Sequence, residues 1–441
     1  MAQNTRKIAL DILNEVEEGG YFNLNLKKYL RGLGDQERRF VSALCYTVLE
    51  NRLRIDYIID AFTEGKRIHR FVRQVLRLGV CQLIYFENVP TSAAVNESVK
   101  LMEKSKKRQL KGFVNAVLRR IGENAGNVEY PSWEKEPARY LSVMYSYPLW
   151  MAEKYVADYG FDFTEELFSC HKNDAETCIR PNRLKCTSQE LENKLQGGGF
   201  TWRKGKYHPD AYYVRALKEI DELPMYKKGF MTVQGESSML VVMAGGLKGG
   251  EAVMDVCAAP GGKTALIAQS GPSRLLARDL HPHRVELMRS AFERLGVSAQ
   301  TQAADASVPD PALYDAFDCV FVDAPCSALG LLYRKPDIKL HKQPEELTSL
   351  AAVQKEILET ASRYVKPGGR LIYSTCTIDR LENDEIVDGF LAAHSEFSEG
   401  RLADHVSEDL MSRTRGGRLQ LFPHIDGIDG FFVARLERKA K

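Results

Sequence analysis

The chain has 441 residues, 44% apolar and 27% charged, a globular composition that predicts two or three domains because single cores stop growing at roughly 250–300 residues. Charge interrupts MAQNTRKIALDILNEVEEGG too early for a secretory signal, and no apolar run nears the roughly 20 residues of a membrane span, so a cytoplasmic protein that does not engage a membrane is expected. The formal net charge is only +2, yet residues 1–120 carry 22 Lys and Arg against 13 Asp and Glu, a net +9 that leaves an acidic remainder and predicts a polyanion-binding module joined to a second activity.

Residues 1–135 read as helical throughout. Apolar residues recur at helical spacing in RKIALDILNEV, in ERRFVSALCYTVLENRLRIDYIIDAF and in HRFVRQVLRLGVCQLIYF. Pro90-Thr91-Ser92 marks a helix start, and SKKRQLKGFVNAVLRRI predicts a basic amphipathic helix. Its Lys106, Lys107, Arg108, Lys111, Arg119 and Arg120 either line one nucleic-acid-facing side or form an ordinary solvated face. The pattern breaks at GNVEYPSWEKEP, which reads as a linker.

Residues 140–228 mix a helix, PLWMAEKYVADYG, with short strands at CIRPNRLK and YYVRAL, predicting a small α+β subdomain in which the GGG at 197–199 is a turn. From 229 to 441 strands and helices alternate, the mark of a parallel sheet flanked by helices. The predicted strands are AVMDVC, RLLARD, QTQAAD, CVFVDA and RLIYST, with helices clearest at 283–295 and 344–365. RLQLFP and FFVARL around DGIDG predict a terminal hairpin on that sheet.

MDVCAAPGGKTALIAQ sets Gly261 and Gly262 between a strand and a helix, where backbone amides can approach a ligand closely. Gly-Lys-Thr suggests a P-loop, but that signature requires a glycine where this chain has Cys257, and GxGxxG is absent. Acids follow: Asp279, Asp305 and Asp323 close the next three predicted strands. Each alone is equally a helix cap, but in series behind a glycine loop they converge at the carboxyl edge of an open sheet. A ribose-bearing ligand without a long phosphate chain fits, S-adenosylmethionine being the common one.

Nine cysteines without a close CxxC pair argue against a disulfide framework or zinc site, and no metal is expected. Most, such as Cys45 and Cys81, read as small core residues. Cys326 and Cys376 differ, since each follows a predicted strand at the edge that carries the glycine loop. A redox pair is one reading. The other is covalent catalysis: carbon-5 of cytosine is a poor nucleophile until a thiolate adds to carbon-6, and a second group must then assist elimination. Asp323, three residues before Cys326, is placed to support the ring nitrogen.

These residues resemble the RNA cytosine-5 methyltransferases of the Sun family, and within it the bacterial branch that acts on 16S ribosomal RNA. The resemblance runs nearly end to end: VCAAPGGKT (256–264), DAPCS (323–327), STCT (374–377), KPDIK (335–339) and NAVLRR (115–120) all agree. It implies a class I, Rossmann-like methyltransferase domain with a mostly parallel seven-stranded sheet over 229–441. It further implies an N-terminal all-α domain similar to the RNA binder NusB over 1–135. In family terms Cys376 corresponds to the nucleophile and Cys326 to the thiol needed for product release. Asp279, Asp305 and Asp323, with Cys257, Ala258, Ala259, Pro260, Gly261, Gly262 and Lys263, correspond to positions that bind S-adenosylmethionine. The sequence departs from the family at Gly235, where Asp is common, and at Leu340, where an aromatic is frequent.

The expected activity is methylation of carbon-5 of an unstacked cytosine in 16S ribosomal RNA by a monomer with no obligate protein partner. Transfer RNA is an alternative substrate. Rivals are methylation of an exocyclic amine or a protein side chain, which would favour an Asn/Asp-Pro-Pro-aromatic motif where this chain has Asp-Ala-Pro-Cys, and a non-catalytic RNA-binding assembly factor.

Overall fold

The structure is a computed structural model that describes residues 4–170, 176–215, 217 and 219–440. The chain divides into two units, Met1–His171 with Leu332–Lys342, and Lys172–Leu331 with Gln343–Lys441.

The first unit is helical. Helices Thr5–Glu17, Asp35–Glu50, Arg70–Tyr85 and Lys111–Asn124 bury their apolar stripes in one core that includes Leu10, Leu44, Val75 and Leu118. The long periodic run 37–62 is two helices that meet at Asn51, whose side chain donates to the Thr47 carbonyl at 3.1 Å and so competes with helix continuation. The basic segment also differs from a single helix. The α-helix starts only at Lys111, and Ser105–Lys107 form a turn in which Ser105 Oγ donates to the Met102 carbonyl and accepts from Lys107 N–H. The irregular stretch after Asn127 lies over helix Arg52–Thr63, with Tyr130 stacked on Tyr57 at 5.7 Å.

Residues Leu332–Lys342, which hold KPDIK, belong to this helical unit. Lys339 is buried, donating to the Glu50 carbonyl at 2.9 Å and the Tyr145 carbonyl at 3.5 Å, each at a helix C-terminus, with its ammonium 4.4 Å from the Tyr147 ring centroid. Burial lowers its pKa to about 7. Leu340 packs against the helical core.

The second unit holds two sheets among the described residues. In the first, β1 (Glu176–Pro181), β2 (Trp202–Lys204), β3 (Tyr212–Arg215) and β4 (Met231–Val233) are antiparallel in the order β2-β3-β1-β4. Ala216, within the expected strand YYVRAL, lies outside the described residues.

The second sheet contains β5 (Ala252–Asp255), β6 (Arg274–Asp279), β7 (Gln300–Ala303), β8 (Phe317–Asp323), β9 (Val365–Thr375), β10 (Phe397–Glu399), β11 (Arg418–Leu421) and β12 (Phe431–Arg438). Seven strands run in the order β10-β12-β9-β8-β5-β6-β7, and β11 pairs with β12 beside them. The five strands β7, β6, β5, β8 and β9 are parallel; β12 is antiparallel to β9, as expected for a terminal hairpin. Chain direction across the sheet reverses between β5 and β8, creating the crevice where open α/β sheets bind ligands.

Alternating side chains cover both faces. Val320, Val322 and Tyr373 pack with Ile357 and Phe390 of helices Pro344–Ser362 and Asp384–Ala393, whereas Cys319, Phe321 and Ile372 pack with Leu240 and Val241 of helix Glu236–Ala244. No described helix is long and apolar enough to cross a membrane.

Candidate active site

The switch point sits at the carboxyl ends of β5 and β8. β5 ends at Asp255, which is fully buried and accepts from Thr264 Oγ1 at 2.7 Å. Burial raises its pKa to about 6, and the Thr264 bond opposes that rise. The chain then turns through Cys257–Gly262 into helix Gly262–Ile267. Gly261 has φ +98°, and a Cβ there would fall 2.8 Å from the Phe292 ring, so both the backbone and the packing require glycine.

Asp279, the last residue of β6, is buried and accepts from the Ala259 backbone N–H at 3.2 Å, gripping the loop. Its other oxygen accepts from His281 N–H just before helix Pro282–Leu295, so the capping role coexists with contact to the loop. Asp305 is different. β7 stops at Ala303, and the Asp305 carboxylate is exposed and accepts from Ser307 N–H at 2.9 Å and Ser307 Oγ at 2.7 Å.

Asp323, the last residue of β8, stands in register with Ser374 of β9. Ser374 Oγ donates to one carboxylate oxygen at 2.9 Å, and Lys263 Nζ from the glycine loop donates to the other at 2.6 Å. Burial works against the Lys263 charge, but Asp323 outweighs it and its pKa is raised. Lys263 also lies 5.1 Å from the ring centroid of Phe431, the first residue of β12. The terminal hairpin therefore reaches this site.

Beyond that registered pair stand the cysteines. Cys326 Sγ lies 3.1 Å from Cys376 Sγ and accepts the Cys376 backbone N–H at 3.3 Å. The hydrogen bond with Cys376 and then burial push the Cys326 thiol well above its ordinary range. The two sulfurs thus share one place, beside a carboxylate–ammonium pair that belongs to the glycine loop.

A buried polar network fixes this arrangement. Glu382, fully buried, accepts from Ser327 N–H at 2.9 Å and from Gln354 Nε2 at 2.8 Å, and also from Ser327 Oγ. Gln354 Nε2 donates to the Pro325 carbonyl, Ser327 Oγ meets Thr377 Oγ1 at 2.9 Å, and Asn383 Nδ2 donates to the Thr377 carbonyl. These bonds tie the turns on both sides of the cysteines together. The stretch DRLEND carries this network but reads from sequence only as an acidic helix start.

Glycines close the site. Gly330 N–H donates to the Cys376 carbonyl at 3.1 Å, and Gly430 N–H donates to the Gly330 carbonyl at 2.9 Å. A Cβ at Gly330 would fall 2.1 Å from the Gly430 oxygen. At Gly235 a Cβ would sit 3.1 Å from Asp429 Oδ2, so an acid placed there would face an existing one.

The donor set discriminates between ligand classes. Asp279 and Asp323 stand at the carboxyl edge beside the loop, and the loop lysine is already neutralised by Asp323. A polyphosphate would meet these two carboxylates; an adenosyl group linked to an amino acid suits them. Among the described residues no cluster of His, Cys, Asp or Glu could hold a metal ion.

Comparison with known proteins agrees with this geometry. The chain is 36% identical over 99% of both chains to the probable ribosomal RNA small subunit methyltransferase B of Bacillus subtilis. It belongs to that ribosomal RNA methyltransferase family. Residues 242–437 match the family described as 16S rRNA methyltransferase RsmB/F, residues 3–123 match the NusB family, and residues 147–220 match the ferredoxin-like domain of RsmF/B-like methyltransferases. Ribosomal RNA small subunit methyltransferase B of Pectobacterium atrosepticum is 30% identical over 98% of both chains. In structure, PH0851 superposes with a TM-score of 0.79 over 99% of this chain and 100% of its own, at 24% identity. A methyltransferase homologue from Pyrococcus horikoshii gives 0.55 over 68% of this chain and 97% of its own, at 25% identity.

Proposed function

We propose that the chain transfers a methyl group to carbon-5 of a cytosine in 16S ribosomal RNA through a covalent bond between Cys376 and the base. The observation that carries this reading is the 3.1 Å approach of two thiols beside the Lys263–Asp323 pair. A methyltransferase acting on a nitrogen or hydroxyl needs no sulfur there, whereas carbon-5 chemistry uses one to add and one to assist release.

S-adenosylmethionine, held by the glycine loop with Asp279 and Asp323, supplies an electrophilic methyl group. Asp305 is assigned to the same site by resemblance, though its carboxylate is taken by Ser307. Cys326 retains its proton, because its hydrogen bond with Cys376 and its burial shift the thiol far up, and the two sulfurs share a hydrogen bond at 3.1 Å. Cys376 adds to carbon-6 as its proton passes by way of the Asp323 carboxylate to nitrogen-3, which takes up the electron pair displaced through the ring from the carbon-5–carbon-6 double bond. Carbon-5 then accepts the methyl. Cys326 then takes the carbon-5 proton as it passes its own across the 3.1 Å gap to the departing Cys376 sulfur, which restores the double bond, and nitrogen-3 releases its proton. Both sulfurs must reach one face of the ring, so the base has to be unstacked. The basic helical unit supplies affinity for the phosphate backbone.

The test is methyl transfer from labelled S-adenosylmethionine to unmodified 16S ribosomal RNA, with the product mapped as 5-methylcytosine. Full activity in Cys376→Ala, or methylation at any other atom, overturns the reading.

A further inference from the structure

The mechanism above leaves unused a cavity of about 440 Å³ in the helical unit, within the size range of small-ligand pockets. Three helix ends meet there. Asn4 and Lys7 come from the start of helix Thr5–Glu17, His69 and Phe71 from the start of helix Arg70–Tyr85, and Leu101 with Lys104–Lys107 from the end of helix Thr91–Glu103 and the turn beyond it. Phe71, half-buried against the helical core, and Leu101, buried, give the cavity an apolar floor.

The rim is cationic. Lys7 is engaged by Asp11 at 2.6 Å, but Lys104, Lys106 and Lys107 make no ion pair among the described residues. Their turn is held in place by the two Ser105 hydrogen bonds, so the lysines are presented and not merely scattered on a mobile loop. His69 Nδ1 accepts from Phe71 N–H at 3.2 Å, which leaves Nε2 free to meet a polar edge. An apolar ligand would not require three unpaired ammonium groups, and a phosphate alone would not require an aromatic floor. A single-stranded nucleotide requires both: a base with a π face and flanking phosphates.

We propose that this cavity is a second RNA-binding subsite, in which one unstacked base of the substrate RNA lies against Phe71 while Lys104, Lys106 and Lys107 hold the neighbouring phosphates. The proposal rests on the chain having RNA as substrate, but not on which atom is methylated. Binding at this subsite would fix the RNA through the helical unit without taking part in the chemistry.

The test is equilibrium binding of the full-length protein to a 16S ribosomal RNA fragment between 50 and 200 mM salt, with thermal unfolding of each variant as a control. The triple variant Lys104→Gln/Lys106→Gln/Lys107→Gln is expected to bind more weakly and to flatten the slope of log affinity against log salt by about two, the release of roughly 0.7 counterions per lost single-strand contact. Phe71→Leu keeps an apolar floor and lacks the ring; it is expected to weaken binding by about five-fold or more with an unchanged salt slope. Substrate carrying 4-thiouridine is expected to crosslink to peptides covering 69–71 or 101–107. Affinity and slope unchanged in the triple variant overturn the subsite. So does an unaffected Phe71→Leu, or competition by inorganic polyphosphate or polyglutamate as effective as that of an oligouridylate of equal charge. Methyl transfer to the fragment, measured on the same wild-type preparation, separates these failures from failure of the proposed reaction, which would show in the product and not in the binding.

Discussion

Cys326 Sγ accepts the backbone N–H of Cys376 while lying 3.1 Å from its sulfur, so the second thiol is fixed relative to the first through both sulfur and main chain. Two free thiols this close need only a small inward shift to bond, since a disulfide spans about 2.05 Å. Treatment with diamide, which takes up the two hydrogens, is expected to link Cys326 to Cys376 and abolish methyl transfer, with recovery in dithiothreitol. Peptide mass mapping checks the linkage. Full activity after oxidation, with the linkage present, would show that the thiols are dispensable.

Glu382 determines where Cys326 stands, by accepting from Ser327 N–H and from the Gln354 amide that also holds the Pro325 carbonyl. Glu382→Gln turns one acceptor into a donor that faces other donors, and misplacement of a reacting group by about 1 Å can cost on the order of 100-fold in rate. We expect kcat to fall by about that factor while the affinity for S-adenosylmethionine, which we assign to the glycine loop, stays within about two-fold. Isothermal titration and single-turnover kinetics check the split, and equal losses in both would assign Glu382 a general folding role.

Asp255 makes stability depend on pH. Its pKa is about 6 in the fold against 3.8 ordinarily, because burial disfavours the charged form. The fold therefore favours the protonated acid: stability is undiminished below about pH 4 and declines as pH rises through 6, by about 3 kcal/mol in all. Asp255→Asn keeps an acceptor for Thr264 and removes the charge. Urea unfolding at pH 4.5 and pH 8 is expected to find the variant gaining on the wild type only at the higher pH. A gap of equal size at both would contradict the assignment.

Much of the candidate site is legible in the sequence because parallel strands deliver their last residues to one edge. Asp279 and Asp323 end their strands as predicted, and Cys326 and Cys376 follow two that are neighbours in register. Asp305 fails that rule because β7 ends two residues early and Ser307 captures the carboxylate. Glu382 was illegible since its partners Ser327 and Gln354 lie 55 and 28 residues away, leaving no local pattern. Lys106 and Lys107 fit a helical wheel, yet the Ser105 hydrogen bonds build a turn there instead, and it is this turn that places them on the cavity rim. No local pattern in KPDIK signals that Lys339 is buried, yet it donates to two helix-terminal carbonyls inside the fold.

The division of labour between the sulfurs is tested most directly with Cys326→Ala, leaving Cys376 intact. Incubated with 16S ribosomal RNA and S-adenosylmethionine, this variant should accumulate a protein–RNA adduct that survives denaturing gel electrophoresis, because addition proceeds and elimination stalls. The double variant Cys326→Ala/Cys376→Ala should give none. Normal turnover by Cys326→Ala, or an adduct that persists without Cys376, would contradict the account.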